Sequence, residues 1–206
     1  MIAIFIFEYS NKNTIGNLPF TQKLEASFFQ SITTRTAGFN TVSISGLKRS
    51  TSLLFIILMF IGASPGSTGG GIKTTTIGLI ILGIFATLKN KDIIEYDKRC
   101  LSWRIYRKAI AILFISLIYT AVCVFLLILI EKDKKLLDLA FEVYSAFGTV
   151  GLSRDLTPSL MSISKFILIV TMFVGRVGPL TIALALSKSK IKKGHYTYPQ
   201  ENILIG

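Results

Sequence analysis

The stretch Ala109–Ile130 (AIAILFISLIYTAVCVFLLILI) runs for 22 residues without a charge. At ~1.5 Å of rise per residue, a helix of that length crosses the ~30 Å hydrocarbon core of a bilayer. A second stretch, Phe166–Leu186, covers 21 residues and is interrupted by a single charge, Arg176. A third, Leu53–Leu88, is apolar at both ends, with GASPGSTGGGIKTTT (Gly62–Thr76) in its middle. Each half is too short to span, while the whole is long enough. The Gly and Pro residues of the insert cannot remain regular helix, and in lipid a broken backbone is tolerated only where protein packs around it or it lines water. The third stretch therefore reads as a broken span with an intramembrane loop. Composition agrees: 51% of residues are hydrophobic and 17% charged, against about a quarter charged in soluble domains. The expected class is an all-α integral membrane protein.

The net charge of +12 raises the question of nucleic acid. The basic residues, however, lie between the apolar runs and read as membrane flanks, so no nucleic-acid partner is expected. The linker 89–108 carries seven Lys/Arg against three acids, and the tail 187–206 four Lys against Glu201. The connection 131–158 carries four basic residues against five acids. The positive-inside rule makes linker and tail cytoplasmic and 131–158 external. The expected location is a multi-pass protein of the plasma (inner) membrane, with membrane lipid around it and its C-terminus in the cytoplasm. Cys100 and Cys123, with His195 far away, form neither a disulfide framework nor a zinc site. Met1–Phe7 has no basic leader region and reads as the last turns of a span rather than a signal peptide.

Sliding the chain on itself by 113 residues brings two segments into register. Thr36-Ala37-Gly38-Phe39-Asn40 falls on Thr149-Val150-Gly151-Leu152-Ser153, and Met59-Phe60-Ile61-Gly62 on Met172-Phe173-Val174-Gly175. Two separated matches at one offset indicate an internal repeat. Its unit is a short apolar helix (24–33; 136–147), a Thr-x-Gly turn and a long helix. Ten to twelve residues cannot cross a bilayer, which marks the short helices as re-entrant. Glycine's access to positive φ allows successive carbonyls of such a turn to point one way, and rings of carbonyls can replace the hydration shell of K⁺.

At these residues the chain resembles the Trk/Ktr/HKT superfamily of potassium transporters, and within it the KtrB (NtpJ-type) pore subunits. The stretches that carry the resemblance are QSITTRTAGFNTV, LMFIGASPGSTGGGIKTTT, SAFGTVGLS, FVGRVGPLT and the closing YPQENILIG. The resemblance implies a fold of four helix–pore-loop–helix repeats with pseudo-fourfold symmetry around one pathway, of which this chain holds the last two. Residues 1–88 would be the third repeat: a truncated first helix, pore helix 24–33, filter 34–40 and the broken second helix 53–88. Residues 89–108 would be the cytoplasmic linker. Residues 109–186 would be the fourth repeat: helix 109–130, pore helix 136–147, filter 148–153 and helix 159–186, followed by the tail 187–206. The resemblance further implies ion-filter residues Thr36, Ala37, Gly38 and Phe39 with Thr149, Val150, Gly151 and Leu152, binding K⁺ at their backbone carbonyls only. One glycine per filter suggests a looser carbonyl stack and less strict K⁺ selectivity.

In the same resemblance the loop Gly62–Thr76 is an intramembrane gate, with Gly66, Gly69, Gly70 and Gly71 as its small, mobile backbone. Lys73 either holds the closed loop through hydrogen bonds or marks the membrane interface. A phosphate-binding P-loop is excluded because Ile72 separates Gly71 from Lys73. A guanidinium inside a span is functional by default. The resemblance implies for Arg176 the role of an electrostatic barrier and loop anchor beneath the filter, with a buried structural ion pair as the alternative. Glu142 faces outward or pairs with Arg35 or Arg154, and the sequence does not choose.

The expected function is K⁺ uptake by the pore-forming subunit of a Ktr/Trk-type system. No enzyme activity and no cofactor are expected; K⁺ is the cargo and Na⁺ a candidate activator. The resemblance implies a homodimer and a cytoplasmic nucleotide-binding regulatory subunit of KtrA/TrkA type, for which 89–108 and 188–206 are the docking segments. The competing reading is a non-conducting, truncated or split membrane subunit that needs the missing N-terminal repeats. No Ser–His, paired-Asp or HExxH arrangement supports an intramembrane hydrolase.

Overall fold

The computed structural model describes residues 1–91, 93–97 and 99–178. The expected end of the last span (179–186) and the tail 187–206 lie outside the described residues. The chain forms α1 (Ile2–Glu8), α2 (Phe20–Thr33), α3 (Arg49–Phe60), α4 (Thr74–Leu88), α5 (Trp103–Ile130), α6 (Leu136–Phe147) and α7 (Ser162–Val177). Among the described residues only α5 is long and apolar enough to cross a membrane by itself.

Several boundaries differ from the sequence reading for local reasons. Pro19 pre-sets φ at the N-cap of α2, so the first short helix begins at Phe20 rather than at residue 24. The Ser102 hydroxyl accepts from the Arg104 N–H at 3.2 Å. That cap starts α5 at Trp103 and takes the last turns of the supposed linker into the helix. The other described residues of the linker are not helical. Ile94–Tyr96 (β1) and Arg99–Leu101 (β2) pair antiparallel, Ile94 opposite Leu101, a two-stranded exception to the all-α expectation. After α6, a 3₁₀ turn at Thr157–Ser159 containing Pro158 delays α7 to Ser162.

Helix α6 is the hub. It packs against α3, α5 and α7, and Leu139, Phe141, Val143 and Phe147 are fully buried. One apolar cluster joins Ile4, Phe55 and Met59 to Phe141, Val150 and Leu152; another joins Cys123, Leu127 and Leu168 to Leu139, Val143 and Ala146. Phe55 stacks over Phe141 and Phe60 over Phe147, with centroids 6.5 and 5.9 Å apart. Helix α2, by contrast, packs on α1 and leaves Phe20, Phe28, Phe29 and Ile32 exposed.

Two buried carboxylates fix the N-terminal ends of α3 and α7. Glu8, at the end of α1, accepts from the Lys48 N–H at 3.0 Å and from the Thr51 hydroxyl. Glu131, at the end of α5, accepts from the Met161 N–H at 2.7 Å and the Ser164 hydroxyl at 2.8 Å. Lys48 and Met161 are the N-caps of α3 and α7, and both donor pairs are related by the 113-residue offset. Each glutamate thus caps, from a distant helix, the positive N-terminal end of the next long helix.

The Met161 N–H, and with it the Ser164 hydroxyl and the nearby Lys134 and Lys165, hold the Glu131 carboxyl below the usual carboxylate range against its own burial. A depressed carboxyl contributes stability that is complete above its unfolded value, about 4.3, and is lost as pH falls through the lower folded value. Glu131→Gln is therefore expected to lower stability at neutral pH by about 1–3 kcal/mol. The deficit should shrink below pH ~4, as measured by thermal unfolding in detergent at several pH values.

Candidate functional site

The two Thr-x-Gly turns follow α2 and α6 and have the same unusual backbone. Thr36 and Gly38 have φ of +71° and +76°; Thr149 and Gly151 have +52° and +89°, while the residue between each pair does not enter the left-handed region. Alternation of this kind turns successive carbonyls toward one side. A left-handed threonine is uncommon, and here it recurs at both positions of the 113-residue offset. The two turns face each other: a Cβ on Gly38 would lie 2.7 Å from the Val150 carbonyl oxygen, and one on Gly151 3.6 Å from Gly38 Cα. Ala37 and Phe39 are exposed; Val150 and Leu152 are buried.

The glycine-rich loop lies directly against these turns. Helix α3 ends where the Gly62 N–H donates to the Ile72 carbonyl and the Ile72 N–H to the Phe60 carbonyl, closing the base of the loop. Gly69 and Gly70 are buried, while Ser64–Thr68 is exposed and Gly66 has nothing within 4 Å of its Cβ direction. The Gly70 N–H donates to the Thr149 hydroxyl at 2.8 Å, and the Gly71 N–H to the Gly175 carbonyl at 3.3 Å. A Cβ on Gly70 would come within 2.7 Å of the Thr149 methyl, and one on Gly69 within 3.0 Å of the Thr36 methyl. Only glycine lets the loop approach both turns this closely.

Lys73 donates to the Gly69 carbonyl at 2.7 Å and the Ser67 carbonyl at 3.3 Å, tying the loop to its own return arm. Arg176 is exposed and makes no hydrogen bond or ion pair among the described residues. It lines a cavity of about 230 Å³ with Gly69, Gly71, Lys73, Thr76 and Ile112. The structure thus brings Lys73 and Arg176 to one space on the far side of the loop from the turns. Arg35, which the sequence places next to Thr36, is exposed.

On the opposite side of the turns the choice left open for Glu142 is made by short hydrogen bonds. Its carboxylate accepts from the Ser153 and Thr157 hydroxyls at 2.6 and 2.7 Å and from the Arg154 N–H at 3.0 Å, while the Arg154 guanidinium goes elsewhere. Arg154 Nε contacts Asp138 at 2.7 Å, and its other nitrogens donate to the Ile44 and Ser45 carbonyls at 3.2 Å and to the Ser52 hydroxyl. One side chain therefore joins the segments that follow the two turns, a role that sequence reasoning missed. Nothing in the order of residues marks it, since its partners lie up to 110 positions away. The glutamate caps carried a readable signal: both Glu8 and Glu131 immediately follow an apolar run.

Thr149→Val keeps the shape of the side chain and removes the acceptor of the Gly70 N–H. The loop 62–73 is expected to exchange its amide hydrogens about tenfold faster by mass spectrometry, with helix α6 unchanged.

Comparison with known proteins bears on this arrangement. Residues 1–193 match the family model of the TrkH cation transport proteins. The chain is 40% identical over 206 residues to the Ktr system potassium uptake protein B of Bacillus subtilis, covering all of this chain and 46% of that protein. It is 36% identical to the potassium/sodium uptake protein NtpJ of Enterococcus hirae, covering 98% and 46%. The chain thus spans about half the length of these relatives. The potassium transporter TrkH from Vibrio parahaemolyticus has the same fold over 91% of this chain and 41% of its own, with a TM-score of 0.75 at 22% identity. A helical membrane fold, two facing turns and a seated glycine loop are thus found in a chain that belongs to the TrkH cation transport family, a family of membrane transporters rather than enzymes.

Proposed function

We propose that this chain supplies two of the four units of a potassium uptake pore of Ktr/Trk type. The carrying observation is the pair of facing turns with alternating backbone handedness at Thr36–Gly38 and Thr149–Gly151. Carbonyls aligned in that way offer a dehydrated K⁺ the ligands it loses from water. The single-glycine turns support a modest K⁺ preference, consistent with a relative named for both potassium and sodium uptake; Na⁺ would be an activator or a weaker competitor.

Gly69 and Gly70 occupy the cytoplasmic side of the turns and so stand in the ion path as a closed gate. Opening requires loss of the bonds to Thr149 and Gly175, and the exposed Ser64–Thr68 arm has room to move. Arg176 and Lys73 put positive charge at the exit, a barrier that a permeating cation meets last. The membrane potential supplies ~2.3 kcal/mol per charge per 100 mV, enough to drive K⁺ inward without chemistry. Two units make half a ring, so conduction needs the other two. The exposed apolar face of α2, with Phe28 and Ile32, and the exposed Phe39 beyond it are where such units would pack. The plasma membrane, a cytoplasmic C-terminus, a homodimer and a nucleotide-binding regulatory subunit of KtrA/TrkA type complete the proposal. The Ktr-system names of the relatives support a multi-component system.

The test is K⁺-limited growth and ⁸⁶Rb⁺ uptake in a bacterium without its own K⁺ uptake systems. Uptake is expected when this chain is joined behind the N-terminal half of the Bacillus subtilis Ktr protein B, and not with this chain alone. No uptake by the joined protein despite membrane insertion would favour the non-conducting reading. In the joined protein Gly38→Ser is expected to lower K⁺ over Na⁺ discrimination several-fold, since a Cβ at φ +76° meets the Val150 carbonyl. Arg176→Ala should raise flux; unchanged flux would remove the exit-barrier role.

A further inference from the structure

The two units hold the strand that follows each turn by different means. In the first, the Thr33 hydroxyl donates to the Phe39 carbonyl, and Gln30 Nε2 to the Thr41 hydroxyl at 3.3 Å. Thr33 and Gln30 are each 1% exposed, so a carbonyl that accepts from Thr33 points back into the protein behind the turn. The left-handed alternation ends at this position in both units, since none of Phe39, Asn40, Leu152 and Ser153 has positive φ, so the Thr33 hydrogen bond and not the handedness of the backbone distinguishes them. In the second unit the 113-residue offset replaces Ser27, Gln30 and Thr33 by Ala140, Val143 and Ala146, none of which can donate from its side chain. The second strand is held one residue later, by Glu142 accepting from Ser153 and Arg154. The Leu152 carbonyl, equivalent to that of Phe39, accepts no hydrogen bond among the described residues.

We propose that Thr33 is a selectivity-determining residue: it withdraws the Phe39 carbonyl from the ion path, so that at this level of the filter the chain presents one carbonyl, that of Leu152, instead of two. The proposal rests on the reading of these turns as an ion filter. Its consequence follows from ligand number. K⁺ is larger than Na⁺ and gains more from a full set of carbonyls, so a ring with a ligand missing favours K⁺ less. The weaker selectivity expected from one glycine per turn then has a second source, a hydroxyl behind the strand.

The test uses the joined protein described above and reads the Na⁺ concentration that halves ⁸⁶Rb⁺ uptake. Thr33→Val keeps the side-chain shape and frees the Phe39 carbonyl; it is expected to raise that concentration on the order of fivefold. Thr33→Ser, which restores the donor, should return it to the parent value. The parent value in Thr33→Val, with the protein present in the membrane and transporting, overturns the proposal and leaves the transport reading standing. Absence of uptake in the unsubstituted joined protein removes the transport reading and this proposal with it. Should Thr33→Val be lost from the membrane, Ala146→Thr decides instead. It places a donor behind the Leu152 carbonyl and should lower the half-inhibiting Na⁺ concentration by a similar factor; no change overturns the proposal.

Discussion

Non-helical backbone at membrane depth has no water to bond with, so every N–H and C=O released where a helix breaks needs a partner in the protein. Between α3 and α4 the base of the segment and its buried glycines find such partners, while Ser64–Thr68 is exposed. Gly62 and Ile72 close its base, Lys73 binds two of its carbonyls, and Gly70 and Gly71 donate to Thr149 and Gly175. The last two bonds join the loop of the first unit to the turn and long helix of the second. What satisfies the broken backbone also holds the loop against the turns, so the loop cannot leave without exposing N–H groups. On the proposed reading of the loop as a gate, the bonds that satisfy its backbone are the ones that opening would break.

The N-terminal ends of α3 and α7 are fixed as well. Glu8 and Glu131 do this by placing a buried carboxylate at each helix N-terminus, where backbone donors and the helix dipole both favour a negative charge. Arg154 joins the two units by reaching from the strand after the second turn to Ile44, Ser45 and Ser52. The apolar packing around α6 then has a defined frame, and Gly38 and Gly151 come to face each other.

The two units share a plan but not an environment. Helix α6 is enclosed by α3, α5 and α7, whereas α2 packs on α1 and keeps a polar buried face of Ser27, Gln30 and Thr33. The difference reaches the level of Phe39 and Leu152, where the Thr33 hydroxyl donates to the Phe39 carbonyl and Ala146 stands in the place of Thr33.

The sequence by itself determined the solvent of the fold, the break at Gly62–Thr76, the 113-residue repeat and the family resemblance. These are properties of runs and spacings: an uncharged stretch long enough to span, glycines that cannot stay helical, and a Thr-x-Gly pattern that recurs. It placed the two turns but not the direction of their carbonyls, and it left Glu142 with three possible surroundings. The tertiary structure decided that Glu142 binds hydroxyls and an N–H, that Arg154 pairs with Asp138 and spans the units, and that Lys73 folds back on its own loop. It also decided that α5 starts at Trp103, behind the Ser102 cap, and that a strand pair forms in the linker. The position of each glutamate after an apolar run was legible, but its pairing with particular donors was not: Glu8 and Glu131 are 123 residues apart while their donors keep the 113-residue offset, because ten extra residues precede α2. A hydrogen bond is set by distance in space, and partners 30 to 110 positions apart leave no period in the sequence to read.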